Sequence, residues 1–198
     1  MKQWSWIVFS CALLVSCRTA HVAGPAVAPL GPSDSPIEAL HARAAAFPGA
    51  RSIMSVRVMT GGETRSFRAQ LIVENHESME LIAYTPVGTT AATIRGNGDR
   101  VSVTDGRSGS TTEGNAPDML RRYGFYTGGL TPAEMGMLLL GYPPRRDLKC
   151  EATPNGLSRA EAGDVVVTFD PPSLPAHRVN VVHGTDRVEI EHLEIATM

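Results

Sequence analysis

Two neighbouring stretches, SIMSVRVM at residues 52–59 and RSFRAQLIVE at residues 65–74, decide the fold class of this chain. Every second residue is apolar from Met54 to Val58 in the first stretch and from Phe67 to Val73 in the second. Because side chains alternate between the two faces of a β-strand, this period predicts two strands that are apolar on one face. Gly61-Gly62 between them is typical of a tight turn. The two stretches therefore predict an antiparallel hairpin with one dry face and one wet face.

The same alternation continues on both sides of this hairpin. Further strands are predicted at residues 77–84, 89–95, 100–104, 164–170, 177–182 and 187–195. Turn signals separate several of them, at residues 96–99 and 184–186. Short strands joined by tight turns predict one antiparallel sheet. The sequence contains neither an internal repeat nor a glycine-rich phosphate loop.

Two capping boxes mark the starts of helices. Ser35-Pro36-Ile37-Glu38 predicts a helix that ends by Phe47, and Thr131-Pro132-Ala133-Glu134 predicts a second helix that ends at Leu140. The second helix is apolar nearly all round, so most of its surface must be covered. A shorter helix is predicted over residues 115–123.

The helices have to cover the dry face of the sheet, and the most apolar one lies in mid-chain between two blocks of strands. The economical architecture is a curved half-barrel whose concave side is closed by helices. If side chains fill the concavity, it is an ordinary core; if they do not, it is a cavity for an apolar ligand. The sequence leaves both possibilities open.

The first residues predict export. Lys2 is followed by an apolar run of about a dozen residues, which is too short to cross a bilayer and has the size of a removable secretory signal. Residues 14–17, Leu-Val-Ser-Cys, resemble the bacterial lipobox, which predicts removal of residues 1–16 and attachment of acyl chains to Cys17. The alternative is an ordinary signal peptide with an incidental cysteine. More than one acyl chain on Cys17 gives stable anchoring to a membrane.

Residues 17–34 are predicted to be a flexible tether, and residues 35–198 a single domain. The tether is rich in Pro, Gly and Ala, and such a chain averages about 20–25 Å from end to end. Cys11 would leave with the signal and Cys17 would carry lipid, so Cys150 has no partner left and is interpreted as a small apolar side chain.

Charge and motif content exclude several classes of function. The formal net charge is −2 and no basic patch stands out, so no nucleic-acid partner is predicted. The six histidines are scattered, with no His-Glu-x-x-His motif, and there is no Gly-x-Ser-x-Gly elbow. We therefore expect no enzymatic activity, no metal and no cofactor.

Residues 84–90, Tyr-Thr-Pro-Val-Gly-Thr-Thr, resemble the LolB family of outer-membrane lipoprotein receptors. The resemblance continues in order through the predicted helices to Leu-Gly-Tyr-Pro at residues 140–143, and it covers most of the chain after the lipobox. It implies an open antiparallel β-barrel with an α-helical lid. The implied activity is to accept lipoproteins from a soluble LolA-like periplasmic carrier and release them into the bacterial outer membrane. The domain would face the periplasm, and no covalent bond would be made or broken.

The resemblance also implies site residues. Pro86, Val87 and Gly88 would form the membrane-insertion loop, with Val87 at its tip in place of the family's larger leucine. Turn preferences place Pro86 second and Gly88 fourth, although one exposed valine is common and needs no special explanation. The acyl chains of the cargo would lie in a cavity lined and covered by Val56, Val58, Phe67, Ala69, Leu71, Leu81, Met135, Leu138 and Leu139. The alternative function is a non-enzymatic lipid-binding or structural lipoprotein of the cell envelope with the same fold.

Overall fold

Strands β1 (Gly49–Thr60) and β2 (Glu63–Glu74) form the hairpin that the sequence predicts. In the computed structural model, which describes residues 35–74, 76–122 and 125–198, Val56 pairs with Phe67 and Ser52 with Leu71. The apolar side chains of both strands lie on one face, where Met54, Leu71 and Val73 are buried. The two-residue period therefore sets the face of the sheet that carries the core.

The remaining strands extend this hairpin on both sides. They are β3 (Ser78–Tyr84), β4 (Thr90–Asn97), β5 (Arg100–Asp105), β6 (Thr111–Asn115), β7 (Lys149–Thr153), β8 (Gly156–Ala162), β9 (Val165–Phe169), β10 (Arg178–His183) and β11 (Asp186–Thr197). Over the described residues they form one 11-stranded sheet in the order β6-β5-β4-β3-β2-β1-β11-β10-β9-β8-β7. All neighbouring pairs are antiparallel, and β6 and β7 remain as edges. The predicted open antiparallel barrel is confirmed.

Strands β6, β7 and β8 were not predicted from the sequence. β6 reads Thr-Thr-Glu-Gly-Asn and carries no large apolar residue. In β7 and β8 the inward positions are occupied mostly by small residues, such as Ala160 and Ala162. Small side chains give a weak alternation signal, so these strands form through pairing with their neighbours more than through local preference.

Three helices lie among the described residues: α1 (Pro36–Ala45), α2 (Ala116–Arg122) and α3 (Pro132–Leu139). At α1, the Glu38 backbone N–H donates to the Ser35 hydroxyl over 3.4 Å. At α3, both halves of the capping box form, with the Glu134 N–H donating to Thr131 Oγ1 over 3.3 Å and the Thr131 N–H to Glu134 Oε2 over 2.8 Å. Each predicted helix is present at its predicted place.

The helices divide the concave face of the sheet among them. α1 packs against β7 and β8, α2 against β5 and β6, and α3 against β2, β3 and β4. Two glycines let α3 approach closely: a Cβ on Gly96 would lie 2.2 Å from the Cβ of Pro132, and one on Gly136 would lie 2.6 Å from a methyl of Val73. α3 is therefore a lid seated directly on the sheet.

None of the helices in the described part of the chain is long and apolar enough to cross a membrane. The predicted signal at residues 1–16, the lipidated Cys17 and the tether at residues 17–34 lie outside the described residues.

Candidate functional site

A cavity of about 440 Å³ lies between the concave face of the sheet and the helical lid. Its size falls within the range of small-ligand sites in proteins, about 300–1,000 Å³. Most of the lining is aliphatic or aromatic, with sheet residues such as Val188 and Ile190 facing Met135 and Leu139 of the lid. The side chains therefore do not fill the concavity, which is the second of the two possibilities that the sequence left open.

Most of the residues predicted for the cavity and its lid do line it. From the sheet they are Val56, Val58, Phe67, Leu71 and Leu81, and from the lid they are Met135 and Leu139. Further apolar lining residues, which the sequence did not single out, are Met54, Met79, Ala83, Ala92, Ile94, Val103, Leu120, Phe125, Pro132 and Val181. Most of these residues lie on strands of the sheet, whereas Leu120, Phe125 and Pro132 come from the helices and the segment between them.

Ala69 and Leu138 do not line the cavity, which corrects the prediction for both. Each is fully buried in the surrounding core. The single methyl group of Ala69 is too short to reach past longer neighbours such as Met54, its partner on β1. Leu138 precedes Leu139 on α3, so its side chain is turned about 100° around the helix axis from that of Leu139 and packs into the core instead of the cavity.

The cavity runs along the strands and has two different ends. At one end Met79, paired with Gly96, lies beside Pro132 at the start of α3; we call this the floor. At the other end the lining includes Thr60 and Arg65, beside the β1–β2 turn, and His183 and Asp186, beside the β10–β11 turn; we call this the mouth. The charged and titratable side chains of the lining all lie at the mouth.

Polar contacts hold the mouth in place. The Thr60 hydroxyl donates to Asp186. The His183 ring stacks on Tyr126, with ring centroids 3.6 Å apart and planes 15° apart, and its Nε2 lies 2.8 Å from Asp164 Oδ2. The hydrogen bond from His183 lowers the pKa of the Asp164 carboxyl. No local sequence pattern indicates this cluster, because its members come from separate segments that meet only in the folded sheet.

A buried histidine ties the lid to the last strand. His192 of β11 is 2 % exposed; its Nε2 lies 3.0 Å from the Leu139 carbonyl oxygen, and its Nδ1 lies 2.6 Å from the Ser52 hydroxyl. Burial lowers the pKa of His192 to about 4, so the ring is neutral at pH 7. Nε2–H therefore donates to the end of α3, and Nδ1 accepts from Ser52. The sequence carried one available signal: His192 continues the inward series of Val188 and Ile190.

The predicted insertion loop connects β3 to β4 and presents Val87 to solvent. The Gly88 N–H donates to the Thr85 carbonyl over 2.9 Å, which confirms a turn with Pro86 second and Gly88 fourth. The Thr85 N–H donates to the Thr89 carbonyl over 2.8 Å and closes the base of the loop. Val87 is 85 % exposed.

The Val87 loop lies at the mouth end of the sheet. Because neighbouring strands are antiparallel, the β3–β4 loop projects from the same end as the β1–β2 and β10–β11 turns. Ala83 and Ala92 pair just before the loop, and both line the cavity. The apolar cavity and the exposed valine therefore share one end of the molecule.

The neighbouring β5–β6 turn braces the strand that leaves this loop. The Gly106 N–H donates to the Ala91 carbonyl over 2.9 Å, and a Cβ on Gly106 would lie only 2.0 Å from the Thr90 carbonyl oxygen. Asp105 accepts hydrogen bonds from Ser108 and from the Arg107 backbone N–H, which lower the pKa of its carboxyl. The Val87 loop is thus supported by its own hydrogen bonds and by an ordered neighbour.

Thiol chemistry and metal binding are two further possibilities that the described residues allow us to assess. Cys150 is half-buried on β7, and burial raises the pKa of its thiol to about 11, so little thiolate forms at pH 7. In residues 35–74, 76–122 and 125–198, no group of three or more His, Cys, Asp or Glu side chains is placed to hold a metal ion.

Solved structures share this architecture. A LolA superfamily protein from Nitrosomonas europaea superimposes with a TM-score of 0.50 over 83% of this chain and 94% of its own, at 9% sequence identity. The chain has a LolA-like fold. A domain described as an outer membrane lipoprotein-sorting protein, from Vibrio parahaemolyticus, matches with a TM-score of 0.55 over 81% of this chain and 90% of its own, at 7% identity. A DUF1329 family protein from Desulfovibrio piger matches with a TM-score of 0.52 over 83% and 94%, at 7% identity.

Comparisons of sequence alone find no match. No protein-family profile matches the chain, and no curated protein matches it significantly. At identities below 10% the structural likeness establishes the LolA-like fold alone.

Proposed function

We propose that this protein is a LolB-like acceptor: a membrane-anchored lipoprotein that shelters the acyl chains of other lipoproteins and helps to insert them into the outer membrane. Cargo would arrive from a soluble LolA-like carrier in the periplasm. Cys17 would hold the protein on the membrane through its own acyl chains. The domain would face the periplasm, and the reaction would be a transfer between binding sites without bond cleavage.

The observation that carries the proposal is the apolar cavity opening at the same end as an exposed valine. Burial of an acyl chain is worth about 0.8 kcal/mol per methylene group, so a partly sheltered chain is already held firmly. Three lining methionines, Met54, Met79 and Met135, have flexible thioether side chains that adapt to a disordered guest. An apolar ligand is the class of molecule that this lining fits.

Val87 supports the second half of the proposal, which is delivery. An apolar side chain at the tip of a turn has no packing role in its own domain, since Val87 is 85 % exposed. Held at the mouth, it would contact the bilayer when the cavity faces the membrane. Burying one valine in the bilayer would contribute about 1.5–3 kcal/mol.

The decisive experiment compares binding with delivery. Val87→Glu is expected to bind a triacylated lipoprotein as the wild type does, but to lower its incorporation into liposomes about ten- to a hundredfold, as the lost burial implies. Leu193→Glu is the matched control, because Leu193 is an exposed apolar residue on the outer face, 50 % exposed. Unchanged incorporation by Val87→Glu would remove Val87 from the mechanism. Binding of free lipids without any binding of lipoproteins would favour the alternative, a lipid-binding lipoprotein of the envelope.

The anchor is tested separately. Cys17→Ala is expected to give a protein that no longer incorporates labelled palmitate and that keeps residues 1–16, because a lipobox is cut only after its cysteine has been acylated. The measurement is metabolic labelling together with the mass of the protein. A Cys17→Ala protein that remains acylated, or that loses residues 1–16, would contradict the lipobox interpretation.

A further inference from the structure

We propose that an acyl ligand lies in the cavity tail inward, with its methyl end against α3 at the floor and its polar end between Thr60, His183 and Asp186 at the mouth. This inference rests on the proposed function and adds the orientation of the bound molecule. It also defines the ligand class as an amphiphile with an apolar chain and one compact polar end.

The two ends of the cavity differ in chemistry. The floor is formed by Met79, Pro132, Met135 and Leu139, which carry apolar side chains only. A polar end placed there would lose its water and gain no side-chain hydrogen-bond partner, which is unfavourable. Arg65 and the other polar groups of the mouth are within reach of solvent, so a polar end keeps hydrogen bonds there.

The length of the cavity suits a single extended chain. Met54 lies at the floor, because its strand partner His192 contacts Leu139, and the six residue steps of β1 from Met54 to Thr60 span about 20 Å. One acyl chain of a bilayer spans half of the hydrocarbon core, about 15 Å. A chain of this length that reaches the floor therefore brings its polar end to within about 5 Å of Thr60 at the mouth.

Close contacts between α3 and the sheet narrow the floor, whereas the exposed lining residues Thr60 and Arg65 lie at the mouth, so the mouth is the route in and out. Pro132 fills the notch left by Gly96, and Gly136 sits directly on Val73. At the other end of α3, His192 holds the Leu139 carbonyl. With the lid attached at both ends, the tail enters first and the polar end stays beside the Val87 loop.

Tryptophan quenching by brominated acyl chains tests this orientation. The chain has two tryptophans, Trp4 and Trp6, both in the predicted signal. In the full chain with both replaced by Phe and with Cys17→Ala, a single tryptophan is introduced as Met135→Trp at the floor, Tyr126→Trp at the mouth or Leu193→Trp on the outer face. The ligands are monoacylglycerols brominated either at the methyl end or next to the polar end. A thermal-unfolding scan checks that each variant folds, and Leu139→Trp is a second floor probe if Met135→Trp does not.

The expected result is a crossed pattern. Methyl-end bromine should quench the floor tryptophan several times more than the mouth tryptophan, and bromine next to the polar end should do the reverse. Leu193→Trp should be quenched by neither. Equal quenching, or the reversed pattern, would overturn the orientation while leaving acyl binding intact. Absence of quenching in every folded variant would overturn this inference and the proposed function together.

Discussion

His192 satisfies three requirements with one side chain. It fills an inward position on β11, it accepts from Ser52, and it donates to the last turn of α3. The carbonyl groups at the end of a helix have no partner inside the helix, and here a side chain from the sheet supplies one. A neutral imidazole is required for this arrangement, because a charged ring would have to be buried and Nδ1 could no longer accept.

The first prediction at the scale of the residue concerns pH. The pKa of His192 is about 4 in the folded state and 6.5 in a model peptide, so between these values the unfolded chain binds a proton that the folded protein does not. Stability should therefore fall as the pH drops from about 6.5 to 4, by about 3 kcal/mol in total, and the loss from this group should stop below pH 4. The measurement is urea unfolding across this range. His192→Gln, which cannot titrate, should show a flatter slope than the wild type; identical slopes would contradict the assignment.

The second prediction concerns Gly106. In Gly106→Ala the new methyl group collides with the Thr90 carbonyl, so the start of β4 must shift and take the Val87 loop with it. We expect a loss of about 1–3 kcal/mol of stability, typical of overpacking, together with reduced liposome incorporation and unchanged acyl binding. Gly109→Ala is the matched control: it strains the backbone at φ 70°, but no atom lies within 4 Å of its Cβ. Equal incorporation by the two variants would show that the brace is not needed.

At the scale of the element, the close contact between α3 and the sheet depends on two glycines that have no side chain. Gly136 of α3 allows the helix to pack closely on β2 and β3. Gly96 of β4 allows Pro132 of α3 to pack closely on that strand. Met135 and Leu139, on one face of the same helix, line the cavity. The lid therefore combines a tight contact at one place with an unfilled space beside it.

Gly136→Ala compares two opposing effects on stability: the higher helix propensity of alanine and the steric clash of its methyl group with the sheet. In an exposed helix this change would stabilise by about 1 kcal/mol. Here the methyl group would meet Val73 at 2.6 Å and Met79 at 3.2 Å, so we expect a net loss of about 1–3 kcal/mol, measured by chemical denaturation. A stabilised variant would mean that the lid is not in firm contact with the sheet.

At the scale of the whole molecule, the concave face is filled in one part and hollow in another. Beside α1, which packs against β7 and β8, the interior is occupied by residues such as Phe47, Leu157 and Ala160, all buried. Under α3, space remains between Ala83, Ala92 and the lid. The same curved sheet thus provides both a packed core and a binding site.

This division predicts opposite outcomes for two similar substitutions. Ala92→Phe points into the cavity, so it should lower acyl-chain affinity at least about tenfold while leaving stability unchanged or slightly raised. Ala69→Phe has no space, because Ala69 is fully buried outside the cavity, and should cost about 1–3 kcal/mol or more. Ligand titration and thermal unfolding measure the two effects. If Ala92→Phe proved as destabilising as Ala69→Phe, the cavity would be filled in solution.

The architecture could be predicted from the sequence wherever the signal is local. The alternation at residues 52–59 and 65–74, and the capping box at Thr131, each depend on residues within a few positions of one another. The contact of His192 with Leu139 joins positions 53 residues apart, and the stack of His183 on Tyr126 depends on how far the sheet curves. Such pairings have no local signature, so the polar part of the site emerges only with the fold.

The pairing of β1 with β11 has a consequence for biogenesis. These strands join the two meanders of the sheet, yet they come from opposite ends of the domain and share ten register pairs. During synthesis the N-terminal meander emerges first and must wait with an exposed edge until residues 186–197 arrive. Only then can His192 contact the lid. A nascent chain that stopped before β11 would therefore contain two unpaired meanders and no ligand-binding cavity.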